Sequence, residues 1–297
     1  MNEIELTADG HVAETGRSIM SSQLDVIHYY QEGVRSCAEM TAVHEMRKAI
    51  RRTLTCFKLF QPYFEPGSLK PYRRGLRRIM RRLATSRDLA VFRMNLAAYN
   101  QAAERPLVDL TAYWEARQKE ADRITMCYVV KPKQQSVLSK YRVFTETPGE
   151  GVLRGGNQWA PVKTRHVLPI LIYQRIAAVR AFEDQLLSAT VKQLHRLRIQ
   201  FKDLRYSLQF FAPLLGGEIE TVLLNLKDSQ EHLGQLNDTT VALQLLDGMA
   251  GLEMSVARYR AYQETEQERL VRSYLPIWQG FDQPLWRHDL AERIATL

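Results

Sequence analysis

Apolar residues recur at helical spacing through most of the chain. From about residue 17 to 125 they run in blocks with a period near 3.6, interrupted at Pro62, Pro66–Gly67 and Pro106. Residues 1–16 are polar and read as a flexible N-terminus. Residues 126–160 break the period. Cys127-Tyr-Val-Val and Tyr141-Arg-Val-Phe are short β-like runs, followed by Thr147-Pro-Gly-Glu-Gly and Arg154-Gly-Gly. That stretch predicts a linker or insert with a small hairpin. Helical periodicity resumes at 161 and continues to 297. The expectation is an all-α chain with one helical bundle over 17–125 and a second over 161–297.

The two helical stretches share motifs. His44-Glu-Met-Arg47-Lys-Ala-Ile-Arg51 aligns with His195-Arg-Leu-Arg198-Ile-Gln-Phe-Lys202, at an offset of 151. Leu83-Ala-Thr-Ser-Arg87-Asp88 aligns with Leu233-Gly-Gln-Leu-Asn237-Asp238, at an offset of 150. Two motifs in one order at nearly one offset predict an internal duplication.

On a helical wheel of about 100° per residue, His44, Arg47, Lys48 and Arg51 share one arc, with Lys58 beside them and Arg52 at its margin. Met46, Ala49, Ile50, Phe57 and Phe60 take the opposite arc, which predicts the buried face. In the second copy His195, Arg198, Lys202, Arg205 and Tyr206 oppose Leu197, Phe201, Leu204, Leu208 and Phe211. A third stripe, Lys70, Arg74, Arg77, Arg78 and Arg81, opposes Leu76, Ile79, Met80 and Leu83. Lys227 completes the candidate set. Asp88 and Asp238 are expected at helix starts, as N-caps or as bridges to Arg.

Charge sharpens this picture. The 297 residues carry 41 Lys and Arg against 33 Asp and Glu, a net of +8. Residues 41–93 hold fourteen of those cations and three acids, a net of +11, so the remainder carries −3. A near-neutral body with one cationic region is the footprint of a polyanion partner. Cations every turn, about 5.4 Å apart, suit a linear polyanion better than a single free phosphate. The composition, 45% hydrophobic and 25% charged, is that of a globular protein and excludes a disordered or collagenous chain. No apolar run reaches the length of a membrane span, and the acidic start Met1-Asn-Glu-Ile-Glu-Leu is unlike a secretory signal. Three cysteines, at 37, 56 and 127, fit no metal spacing and point to a reduced, cytoplasmic protein.

Catalytic signatures are absent: there is no GxxxxGK[ST] loop, no G-x-S-x-G and no H-E-x-x-H. The stripes also lack the acids that would hold Mg²⁺ for phosphoryl transfer. A metal between His44 and His195 is disfavoured, because each histidine shares its face with Arg and no ligating Cys or carboxylate stands beside it. The histidines are read as phosphate donors, with a buried, orienting role as the alternative.

These motifs resemble the CHAD domain, the conserved histidine α-helical domain. The resemblance covers roughly residues 18–275 and rests on Val43-His44-Glu-Met-Arg47, Ser86-Arg87-Asp88, Leu194-His195-Arg-Leu-Arg198 and Leu233-Gly234-Gln-Leu-Asn237-Asp238. It implies two four- or five-helix bundles related by a pseudo-twofold around a basic groove or pore. It also implies non-enzymatic binding of inorganic polyphosphate, with no cofactor. For some members it implies association with polyphosphate or polyhydroxyalkanoate granules. Nucleic acid, tRNA or single-stranded RNA, is the alternative ligand. It is expected to compete weakly, because the stripes carry one evident aromatic, Tyr206, for base stacking.

Overall fold

The computed structural model describes residues 6–36, 40–154, 161–216, 219–281 and 283–297. Among the described residues the chain is all-α, and the twelve α-helices found there fall into two runs. The first run is α1 (Val12–Ser36), α2 (Met40–Phe60), α3 (Lys70–Ala102), α4 (Val108–Val129) and α5 (Pro132–Glu146). The second is α6 (Thr164–Arg180), α7 (Val191–Leu215), α8 (Ile219–Asn225), α9 (Lys227–Leu246), α10 (Glu253–Arg272), α11 (Tyr274–Phe281) and α12 (Pro284–Ala295). No described helix is long and apolar enough to cross a membrane.

Local chemistry sets several boundaries. Pro62 lies in the 3₁₀ turn Gln61–Tyr63 that closes α2, Gly67 takes φ 95°, and Pro71 sits in the first turn of α3. Helix α7 opens with a capping box. The Gln193 backbone N–H donates to Thr190 Oγ1, and the Thr190 backbone N–H donates to Gln193 Oε1. It closes at Gly216, φ 80°.

The packing is pseudo-symmetric. Helix α1 packs on α2, α2 on α3 and α3 on α4; in the second run α6 packs on α7, α7 on α9 and α9 on α10. Across the halves α1 meets α6, α2 meets α7, α3 meets α9 and α4 meets α10. Each of these contacts joins an element to its own counterpart, as a pseudo-twofold relation requires. The main core is one cluster with members from both halves, among them Phe57, Phe60, Leu197 and Phe211. The Phe60 and Phe211 rings meet edge-on across the interface at 6.0 Å. Each such buried side chain contributes about 1.5–3 kcal/mol. A second cluster joins the far ends of α3 and α4 to those of α9 and α10 through Phe92, Trp114 and Tyr259.

Three sequence expectations are corrected. The predicted hairpin within 126–160 is helix α5, preceded by the last turn of α4. Gln134, Leu138, Tyr141 and Thr145 form its buried stripe, at a helical period that the β-branched residues between them obscure. Tyr141 is fully buried against the rings of Phe57 and Tyr72. The glycine turn after it is present, with Gly149 and Gly151 at positive φ, while Gly155–Gly156 lie outside the described residues. The stretch expected to be flexible contains the start of a helix: α1 begins at Val12, Val12 and Ala13 are fully buried, and the Val12 N–H donates to the Val162 carbonyl at 2.8 Å. Asp88 and Asp238 stand inside α3 and α9, not at helix starts. The Leu83–Ser86 stretch does not break α3, because Leu83 and Ser86 face inward and Gln118 of α4 donates to the Ser86 carbonyl.

Candidate anion-binding site

Helices α2 and α7 lie against each other where the halves meet. Lys58 Nζ of α2 pairs with Asp203 Oδ2 of α7 at 2.7 Å, and Thr55 Oγ1 donates to Asp203 Oδ1 at 3.0 Å. This buried carboxylate ties the halves together, so Lys58 serves the interface.

Beside that tether the cationic faces converge. Arg47 and Arg51 of α2, Arg87 of α3, and Arg198 and Lys202 of α7 sense one another's charge. Asp88 and Asp238 stand among them. Arg47 Nη2 lies 3.7 Å from Asp88 Oδ1, and Asp238 faces Arg198 and accepts from Asn237. Five cations thus surround two acids. The polarisation is visible at Lys202: burial first, then Arg51 and Arg198 against the pull of Asp238, push its ammonium down to about 6. Arg47 is pushed down to about 10, by burial opposed by Asp88. Burial raises both carboxyls despite the cations around them. Arg47 Nη1 and Arg198 Nε are buried with no acceptor among the described residues.

The two histidines flank the cluster, both more than a third exposed. His44 is held below its ordinary value by burial and then by Arg87, with Glu45 opposing. His195 is lowered by burial and Arg198, with a hydrogen bond to Asn237 opposing. Among the described residues no group of three or more His, Cys, Asp or Glu is placed to hold a metal ion.

The other candidates lie at the border of the cluster or beyond it. Arg52 stacks over the Tyr206 and Phe210 rings, 5.9 and 5.6 Å from their centres, and Arg205 Nη1 donates to Gln230 Oε1 at 2.8 Å. These residues border the cluster on the α7 side. Lys48 pairs with Glu45 at 3.0 Å. Lys227 is exposed at the start of α9 and pairs with Glu231 at 3.8 Å. Arg74, Arg77, Arg78 and Arg81 are exposed on the first half of α3, beyond the cluster. Sequence reasoning missed Arg87 and Asn237 as site residues. Their signal is in the duplicated Arg87-Asp88 and Asn237-Asp238 pairs, which point to the aspartates as N-caps or bridges to Arg and do not single out their neighbours.

Residues 18–247 match the CHAD domain family. This chain belongs to that family. The match runs from α1 to the end of α9 and includes both His-x-x-Arg helices of this CHAD domain. The fold is that of the crystal structure of the CHAD domain from the plant Ricinus communis, at a TM-score of 0.80 with 20% identity over 94% of each chain. PptA from Streptomyces chartreusis is similar at a TM-score of 0.68, with 14% identity over 91% of this chain and all of that one. No curated protein matches the chain.

Proposed function

We propose that this CHAD domain binds inorganic polyphosphate, without catalysis, in a basic groove where the two halves meet. One observation carries the reading: Arg47, Arg51, Arg87, Arg198 and Lys202, drawn from both halves, crowd around Asp88 and Asp238, where burial and then Arg51 and Arg198 push Lys202 down to about 6. Such a site costs the empty protein free energy, and a polyanion threaded through it relieves that cost. Arg grips phosphate oxygens in pairs, and Lys adds a point charge. Asp88 and Asp238 orient the guanidiniums. The same chemistry suits a cytoplasmic protein that associates with polyphosphate or polyhydroxyalkanoate granules.

Nucleic acid is the weaker ligand in this reading. Tyr206, an aromatic at the border of the cluster, has Arg52 over its ring, which leaves less of it for base stacking.

The test is a competition titration of long-chain polyphosphate against tRNA and duplex DNA at ~150 mM salt, where the Debye length is ~8 Å. Polyphosphate should displace both, and its affinity should fall steeply as salt rises. Arg51→Glu should weaken it on the order of tenfold or more, with circular dichroism and melting nearly unchanged. Displacement of polyphosphate by tRNA at equal phosphate concentration would overturn the reading.

A further inference from the structure

The stripe on the first half of α3 has no counterpart in the other half. The offset of 150 that superposes Asp88 on Asp238 pairs Lys70 with Glu220, Arg74 with Leu224, Arg77 with Lys227, Arg78 with Asp228 and Arg81 with Glu231. Five cations on one side face one cation and three acids on the other. All ten side chains are exposed. Lys227 is engaged with Glu231, while Lys70, Arg74, Arg77, Arg78 and Arg81 form no ion pair among the described residues. From Lys70 to Arg87 α3 carries no acid at all.

The stripe also leads to the cluster. At about 100° per residue, Lys70, Arg74, Arg77 and Arg81 all lie within about 40° of Asp88 on the α3 wheel. Asp88 points to Arg47 in the cluster. At ~1.5 Å per residue the line from Lys70 to Asp88 is ~27 Å long. Successive cations stand about one turn apart, ~5.4 Å and inside a Debye length at physiological salt, so their fields add along the line. No aromatic stands among them. Tyr128, beside the stripe, is covered by Arg82 at 5.5 Å and Lys131 at 5.9 Å. That favours a polyanion without bases.

We propose that this stripe is an outer track, entered only from the first half, along which a polyphosphate chain too long for the central cluster continues. The proposal rests on the functional reading above and adds to it a ligand class, long chains, and a direction. The pseudo-symmetric centre holds a short chain. A longer one leaving on the α3 side meets five cations; leaving on the α9 side it meets Glu220, Asp228 and Glu231.

The test is calorimetric titration of the full chain with inorganic tripolyphosphate and with long-chain polyphosphate. The variants are Arg74→Gln/Arg77→Gln/Arg81→Gln, Arg51→Glu, and Glu220→Lys/Asp228→Lys/Glu231→Lys, each checked by circular dichroism. The α3 triple variant should lose on the order of tenfold to a hundredfold for the long chain, with a shallower salt dependence, and keep its affinity for tripolyphosphate. The α8–α9 triple variant should gain affinity for the long chain alone, by opening the second exit. Arg51→Glu should weaken both ligands. Equal losses for both lengths in the α3 variant, or no loss for either, would overturn the track and leave the central site standing. A loss of tRNA binding in that variant with long-chain polyphosphate unaffected would overturn it in favour of a nucleic-acid surface. A wild-type protein that binds neither polyphosphate overturns the functional reading itself, and the track with it.

Discussion

Lys202 shows how far a single side chain depends on its surroundings. Its ordinary value of 10.5 falls to about 6 through burial and through Arg51 and Arg198, opposed by Asp238, with Arg47 adding to the repulsion. The unfolded chain therefore holds a proton that the empty folded protein releases, and stability rises with pH between those two values. A bound polyanion reverses the local field and raises Lys202, and His44 and His195 with it. Binding should then take up protons, and affinity should strengthen as pH falls from about 9 to about 6. Calorimetry in two buffers of different ionisation enthalpy reads the uptake directly. Lys202→Arg carries a permanent charge, so it should bind yet lose most of the uptake above about pH 7. Binding enthalpies that do not depend on the buffer in the wild type would refute this. The lowered histidines owe most to burial; for His195 the next cause, Arg198, lies on its own helical face, while for His44 it is Arg87 of α3. The Lys202 shift was not, because Arg51 reaches it from the other half.

At the scale of elements, α5 shows tertiary burial overriding local propensity. Val129, Val130 and Val143 give the stretch a strand-like look, yet Leu138 and Tyr141 are placed to fill the space beside α1 and α3. The partnership also needs Gly75. A Cβ there would collide with the Val137 side chain, so α3 approaches α5 more closely than any other residue allows. Gly75→Ala gains about 1 kcal/mol of helix propensity but forces the helices apart at a cost of about 1–3 kcal/mol. The expected net is a lower melting temperature, read by thermal unfolding, and a disturbed α3 outer face. The companion Val137→Ala should restore much of the loss in the double variant, because it removes the colliding methyls. The long α3 follows the same logic: Ser86 and Asp88 look like helix-start residues, but Gln118 and Arg47 engage them in the middle of a continuous helix.

The whole molecule is two copies of a helical unit that do not divide the core between them. Phe60 and Phe211, buried against each other across the interface, would be exposed in either half alone. Lys58 would lose Asp203, whose carboxylate would then be uncompensated. Separately produced halves, divided within residues 155–160, should therefore fail to melt cooperatively and should aggregate. When they are mixed, a cooperative transition near that of the intact chain should return. Independent two-state melting of either half would contradict a shared core.

Much of this protein is written in local order. The all-α class follows from the 3.6-residue period, the duplication from two motifs at one offset, and the opposed basic and apolar arcs of α2 and α7 from helix geometry alone. Each depends on residues a few positions apart, where chain connectivity fixes the geometry. The facing of the two arcs, the crowding that leaves Lys202 near neutrality, the recruitment of Arg87 and Asn237, and the folding of 132–146 as helix do not. Those features are set by residues from distant parts of the chain meeting in space. They appear only when the shared core brings α2, α3, α7 and α9 together, because burial and Coulomb repulsion depend on distance in space, not on separation along the chain.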